Sequence, residues 1–261
     1  VAPFVWVHTS DIMAPYAIAA ADIAMFGEPN IPTPQQDIMD NIRPTYMRSI
    51  GRSQKFGFVP VWMTMAGRGG AQWSLAGRQT FGWCWIHDSV PEVHTHYRGR
   101  PLVHYREQWG IMRDDVMFEG YWNQTAARPN DDKFLVSYWT RPQDGEADDN
   151  TALLLAMNMH YRGEGVSKVK IKIDPKELGV PKDFKVYNME SMIDFVEREV
   201  ALRKMDSDAQ YGAKALPYRP TDKLNKGLLM WQGKDSPYKL EELKVVSAGK
   251  KTFAVEIPPR D

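Results

Sequence analysis

The sequence has a single cysteine, Cys84, among its 261 residues. One thiol excludes an intrachain disulfide framework and any cysteine-rich zinc module, and it leaves the compartment open, periplasmic and extracellular locations included. An excess of charge of either sign is also missing, because 33 Lys and Arg balance 33 Asp and Glu. Nucleic-acid binders usually carry a basic excess, so the composition argues against a nucleic-acid partner.

Long apolar runs and nucleotide-binding signatures are absent as well. No stretch approaches the roughly 18 apolar residues that a membrane span requires. The Gly-rich segment MAGRGGAQW (65–73) contains neither a GxGxxG pattern nor a P-loop. The sequence therefore predicts no membrane span and no cofactor, with Arg68 of this segment left as a candidate contact for an anionic group.

The composition changes along the chain. Residues 1–150 contain only Lys55 and Lys133, whereas residues 151–261 contain fifteen lysines. Eight of the nine tryptophans lie at or before Trp139. We therefore expect an aromatic, His-rich first region and a second region with a lysine-covered, solvated surface.

The first region alternates strand-like and helix-like patterns. Helical spacing or helix-like composition marks 33–51, with Pro44 as an expected kink, and also 69–81 and 100–112. Strand-like runs occupy 4–10, 22–29, 56–67 and 82–88. Strands that alternate with helices indicate an α/β domain with a parallel sheet.

The second region contains short strands separated by turn signals. VSKVKIKID (166–174) alternates between lysines and apolar residues, which is typical of an antiparallel sheet with one solvated face. The predicted organisation is a β/α unit over 1–125, a connecting segment with one strand over 126–150, and an antiparallel β-sandwich over 151–261.

The candidate site follows from the ends of the predicted parallel strands, which meet at one edge of a sheet. Glu28 is either a general acid/base or a solvated carboxylate, and the pair of His87 and Asp88 supplies either a proton shuttle or structural contacts. The complete predicted set has Glu28 and Asp88 as catalytic residues and five binding residues: His8, Trp62, Arg68, Trp85 and His87.

Two further readings concern the aromatic and histidine residues of the first region. The crowded tryptophans and tyrosines either line a sugar site, because indole faces pack against sugar C–H groups, or fill the core. His94 and His96 share a strand face, but zinc requires three or four ligands, so loop histidines are the preferred interpretation. No metal is predicted.

The motifs HTSDIMAP (8–15), FGEP (26–29), VPVWMTMAG (59–67) and WCWIHD (83–88) resemble the strand ends of barrel proteins related to glycoside hydrolase family 123. Residues 152–180 are similar to the sandwich that follows many glycosidase barrels. The resemblance implies the C-terminal part of a (β/α)8-type barrel with a trailing β-sandwich, and glycoside hydrolysis as the activity.

The sequence departs from that family at its catalytic motif. The resemblance implies catalysis by a neighbouring Asp-Glu pair, but no Asp-Glu dipeptide occurs in this sequence. The chain also opens on a strand-like run without a polar lead-in, so we expect it to be a piece of a longer polypeptide whose upstream half supplies those carboxylates. The alternative is a non-catalytic carbohydrate-binding or structural protein. The expected partners are a carbohydrate and the upstream half or another chain.

Overall fold

The protein is mainly β in its described residues. The computed structural model describes residues 5–10, 21–26, 39, 43–50, 59–62, 82–91, 109–111, 113, 115–123, 126–141, 151–161, 163–188 and 244–259. Among these described residues only two short helices occur. None of the helices in these ranges is long and apolar enough to cross a lipid bilayer.

Four short strands near the N-terminus form a parallel sheet in the order β1-β2-β3-β4. Their bounds are β1 Trp6–Ser10, β2 Ile23–Phe26, β3 Val59–Trp62 and β4 Val90–Pro91. Ala24 and Val61 are buried in the two middle strands. Because a middle strand is covered on both faces, its sequence is an apolar run and not an alternating one.

The predicted fold class, a partial (β/α)8-type barrel followed by a sandwich, is wrong, because the described residues form no such barrel. The parallel pairing stops at β4, which has only two residues. The next strand, β5 (Met117–Glu119), pairs antiparallel with β7 (Phe134–Thr140). The chain therefore leaves the alternating β/α pattern after β4.

The helices also differ from those expected. Within the predicted helix 33–51, the described helix α1 spans Pro44–Ile50, so Pro44 occupies its first turn and does not kink it. Proline is favoured there because its missing N–H has no partner within the helix and its ring fixes a helical φ. Predicted helix 69–81 lies outside the described residues.

The segment predicted as the fourth strand, 82–88, is a helical turn over 82–85 followed by turn residues 86–88. The N–H of Ile86 donates to the carbonyl of Gly82 at 2.8 Å, which is the hydrogen bond of an α-helical turn. Asp88 closes the turn with a φ of 57°, a conformation that Asp tolerates better than most residues. Short apolar runs fit both a strand and a buried helical turn, and here the local hydrogen bonds decide.

The remaining strands pair antiparallel. One sheet has the order β5-β7-β8, a second has the order β12-β9-β6, and β10 pairs with β11. Their bounds are β6 Ala127–Pro129, β8 Ala152–Asn158, β9 Lys168–Ile173, β10 Lys185–Asn188, β11 Lys244–Ala248 and β12 Thr252–Glu256. The domain boundaries expected near 125 and 150 stay a prediction.

A shared core joins the two three-stranded sheets. Phe134, Val136 and Tyr138 of β7 pack in one cluster with Val169 and Ile171 of β9. In β9 the exposed and buried residues alternate strictly, with lysines outward and Val or Ile inward. This alternation agrees with the half-solvated strand expected from the sequence.

Strand β7 is buried on both faces. Phe134, Val136 and Tyr138 face the core shared with β9, whereas Leu135 packs with Trp83 in a second cluster. Ser137 lies on that second side and is fully buried. The parallel and antiparallel parts of the described chain are therefore packed against the same central strand.

A charged cluster fixes the turn between β6 and β7 to the segment after β8. The imidazole of His160 contacts the Asp131 carboxylate through Nε2 at 2.9 Å and the Glu164 carboxylate through Nδ1 at 2.6 Å. Lys133 forms a further ion pair with Glu164 at 3.2 Å. The His160 side chain is only 9% exposed, so two carboxylates hold a nearly buried imidazolium.

The contacts within this cluster shift the pKa values of His160, Asp131 and Glu164. Hydrogen bonds to Asp131 and then Glu164 raise the pKa of His160 above its ordinary value of 6.5. The same hydrogen bonds lower the pKa of both carboxyls. The His160 contribution to stability is therefore fully present below pH 6.5 and is lost as the pH rises through the higher folded pKa.

We expect His160→Gln to lower the free energy of unfolding by about 1 kcal/mol at about pH 5.5 and by clearly less at about pH 9. Urea unfolding of both proteins at the two pH values measures this difference. Lys133→Met is the control, because it removes the exposed ion pair with Glu164 and leaves both carboxylates on the His160 ring. An equal loss at both pH values for His160→Gln would contradict the linkage.

Candidate functional site

The structure brings two predicted binding residues, His8 and Trp62, to the same edge of the parallel sheet. His8 pairs with Met25, two residues before the end of β1 at Ser10, and the register continues from Met25 to Val61. Trp62 is the last residue of β3, level with Phe26 at the end of β2. Predicted residues Glu28 and Arg68, together with His94 and His96, lie outside the described residues.

His87 is fully buried and holds two hydrogen bonds. Its Nδ1 lies 2.7 Å from the carbonyl oxygen of Trp83, and its Nε2 lies 3.1 Å from the hydroxyl of Tyr121. Because a carbonyl only accepts, Nδ1 carries the proton and Nε2 accepts from the tyrosine. The ring also stacks on Trp122 at a centroid distance of 5.9 Å.

Burial lowers the pKa of His87 to about 3, and burial raises the pKa of Tyr121 to about 12. Both groups are therefore neutral near pH 7. A proton shuttle needs a pKa near the working pH and access to a substrate. The geometry of His87 matches the structural alternative considered for it in the sequence, a histidine bonded to a neighbouring backbone carbonyl.

Trp85 and Asp88 belong to the same buried turn. Trp85 is buried, and the Asp88 carboxylate accepts a hydrogen bond from the indole Nε1 of Trp139 at 2.9 Å. Asp88 precedes Val90, the first residue of β4, and Val90 is level with Val61 of β3. The structure thus places Trp85, His87 and Asp88 before β4, on the amino-terminal side of that strand, whereas His8 and Trp62 lie toward the carboxyl ends of β1 and β3.

An aromatic residue that the sequence analysis did not assign to the site is exposed on β1. The side chain of Trp6 is 55% exposed, although Trp83, Trp85 and Trp139 are buried. Trp6 and His8 are two residues apart on one strand, so both project from the same face, and His8 is exposed too. The run FVWVH contains both residues, but periodicity does not show which face of a strand is left uncovered.

Two other polar groups in the described chain are occupied by local contacts. The guanidinium of Arg141 lies 4.4 Å from the ring centre of Trp109, whose Nε1 donates to Thr151 Oγ1 at 3.0 Å. The guanidinium of Arg113 holds the Asp115 carboxylate with two hydrogen bonds and lowers its pKa. The Arg141 guanidinium is thus engaged by an aromatic ring and the Arg113 guanidinium by a carboxylate.

The described residues do not assemble a metal site, since no three His, Cys, Asp or Glu side chains among them come together in a suitable group. His160 has a carboxylate on each ring nitrogen, so neither nitrogen is available to a substrate proton. Among the described residues, the buried hydroxyls of Ser89 and Ser247 have no hydrogen-bond partner, so open polar groups lie in the interior as well as on the surface.

We expect His87→Phe to lower the free energy of unfolding by about 1–3 kcal/mol, because the buried Tyr121 hydroxyl loses its acceptor. Adding Tyr121→Phe should recover part of that loss, since both polar partners are then removed. Denaturant unfolding of the two single variants and the double variant measures the coupling.

The pH response gives a second readout for His87. The folded pKa lies below the unfolded value of 6.5, so the stability linked to neutral His87 is present above pH 6.5 and is lost as the pH falls toward 3. His87→Phe should flatten this acid-side loss. A variant that keeps full stability but loses ligand binding would instead place His87 in a functional site.

Comparisons with known proteins gave no match to any family model, to any curated protein or to any solved structure.

Proposed function

We propose that this protein is carbohydrate-active and that it binds sugar on the exposed face of β1. The observation that carries the proposal is the pair of Trp6 and His8, both exposed and two residues apart on the same strand. A tryptophan that is 55% exposed is unusual in a chain whose Trp83, Trp85 and Trp139 are buried. An exposed indole of this kind commonly belongs to a binding surface.

The chemistry of the pair suits a sugar ring. The indole of Trp6 offers a flat apolar face to the C–H groups of a pyranose, and the exposed His8 places a polar ring two residues away on the same strand face. β1 lies at one end of the strand order of the parallel sheet. A linear oligosaccharide has room to run along such an edge strand.

The start of β1 is held in place for this role. The carboxylate of Asp22 accepts a hydrogen bond from the Val5 amide at 2.7 Å, and the Asp22 amide donates to the Val5 carbonyl at 2.9 Å. This two-way contact fixes the backbone beside Trp6. A fixed platform loses less conformational entropy on binding than a mobile one.

In its more specific form, the proposal is that the protein also hydrolyses the glycosides that it binds. The resemblance to proteins related to glycoside hydrolase family 123 supports it through strand-end motifs, FGEP (26–29) among them. It does not rest on a barrel, and it does not depend on His87 or Asp88, whose roles in the site stay predictions. The remaining candidate acid/base is Glu28.

We expect Trp6→Ala to weaken oligosaccharide binding at least about tenfold, because the stacking surface is lost. A glycan array followed by calorimetry on the strongest ligand measures this effect. The melting temperature should stay nearly unchanged, since an exposed side chain contributes little to packing.

The matched control is Tyr161→Ala, which removes another aromatic side chain, 57% exposed, after β8. Its glycan affinity should stay within about twofold of the unmodified chain. Equal losses for both variants, or no loss for Trp6→Ala, would refute the site. A change in association state without a change in glycan affinity would make Trp6 part of a protein interface.

Glu28→Gln tests hydrolysis separately from binding. In the full-length protein we expect turnover of the bound glycan to fall at least about tenfold, about 1.4 kcal/mol, with the melting temperature nearly unchanged. Reducing-end release measures turnover, and calorimetry measures binding. Unaltered turnover would leave Glu28 a solvated carboxylate, and the absence of turnover in the parent protein would favour the non-catalytic binding protein.

A further inference from the structure

The outward face of the β12-β9-β6 sheet carries a concentration of positive charge. Lys168, Lys170 and Lys172 are all exposed along the central strand β9. Arg128 of β6 is exposed directly opposite Lys172. We call these four residues the basic face.

Two exposed carboxylates border this face, Glu256 beside Lys168 and Asp174 two residues after Lys172. Glu256 of β12 pairs with Lys168, and its carboxylate accepts a hydrogen bond from Ser167 Oγ at 3.2 Å. Lys170 and Lys172 instead pair with Ala254 and Thr252 on the same strand. Within the described ranges, no carboxylate forms an ion pair with Lys168, Lys170 or Lys172.

The spacing makes the four charges act together. Alternate residues of a strand are about 6.6 Å apart and neighbouring strands about 4.8 Å apart, so each charge lies within the Debye length of about 8 Å of its neighbour. Like charges opposite each other in a ladder destabilise a sheet. A bound polyanion would neutralise the charges and remove that repulsion. The row of like charges therefore favours binding of a polyanion, whereas it does not favour folding.

We infer that the basic face binds an acidic polysaccharide, a chain bearing carboxylates or sulfates. The inference rests on the proposed carbohydrate function and adds the substrate class. Lysines are compact point charges on flexible stems, and in a row they match a polymer that repeats its anions at intervals. The exposed turn residues Lys250 and Lys251 extend the positive charge beyond Lys172, next to Thr252.

A nucleic acid fits the same face less well. Proteins that bind single strands place aromatic rings among their basic residues, for base stacking. The outward residues of this face are Arg128, Lys168, Lys170, Lys172, Thr252, Ala254 and Glu256, none of them aromatic. The formal net charge of the whole chain is zero, so the positive charge is local and not the general excess of a nucleic-acid binder.

The test replaces three lysines together: Lys168→Thr, Lys170→Thr and Lys172→Thr. Threonine favours strands, and the change also removes like-charge repulsion, so the melting temperature should not fall. We expect binding of the full chain to polygalacturonate and to dextran sulfate to weaken at least about tenfold, with a shallower dependence on salt. Affinity electrophoresis and calorimetry measure the loss.

The charge-matched control replaces Lys176, Lys182 and Lys185, which are exposed outside this face, by threonine. It should keep its affinity for both polymers within about twofold. Equal losses in the two triple variants would mean that general charge drives binding, and no loss would remove the face from the site; either result overturns the inference. Should the triple variant fold poorly, Lys172→Thr alone, opposite Arg128, should still weaken binding measurably.

Two further binding measurements, with neutral dextran and with single-stranded DNA, separate this inference from the proposed function. Neutral dextran should bind the parent chain and the lysine variant equally, and a single-stranded DNA oligonucleotide should bind more weakly than polygalacturonate. Preferred binding of DNA that the lysine variant abolishes would overturn the polysaccharide assignment. Loss of glycan binding in Trp6→Ala with intact polyanion binding in the lysine variant would leave the proposed function standing and refute this inference.

Discussion

The described structure depends on one constraint, the burial of β7 on both faces. A strand enclosed in this way has no water for the fully buried Ser137, so that hydroxyl has to find protein partners. Its hydroxyl donates to the carbonyl of Ile86 at 2.7 Å and accepts from the amide of Tyr121 at 3.0 Å. These two bonds tie the helical turn 82–85 and the segment after β5 to the same strand. The turn then holds His87 against Tyr121, so the aromatic interior is organised from β7 outward.

Two histidines occupy opposite electrostatic environments in this framework. His87 lies among aromatic rings, where burial favours the neutral ring, whereas His160 lies between two carboxylates, which favour the charged ring. The first contribution to stability is lost as the pH falls below 6.5, and the second is lost as the pH rises above it. The two histidines therefore restrict stability from the acid and the alkaline side.

The sequence predicts local structure correctly where the hydrophobic pattern of a segment matches the surroundings of its two faces. The alternation in β9 gives the strand, its buried face and its exposed lysines, because one face of that strand meets water and the other meets the core. The run 82–88 has no such alternation, and its aromatic residues fit a strand or a buried turn equally well until tertiary hydrogen bonds select the turn. The barrel is what the resemblance of the strand-end motifs implies, and such motifs do not encode how many parallel strands pair. For the candidate site, the sequence pointed to His8 but not to Trp6, because exposure is a property of the packed sheet.

The distribution of tryptophan separates folding from function in this chain. Trp83, Trp85 and Trp139 are buried with the core clusters, so much of the aromatic enrichment of the first region serves packing. Trp6 and the lysines of β9 are exposed, and they contribute little apolar burial to the fold. Residues that folding does not require are the ones in which side-chain chemistry is free to serve a ligand. A neutral stacking platform on one sheet and a row of cations on another would then recognise two properties of the same polymer, its ring faces and its charge.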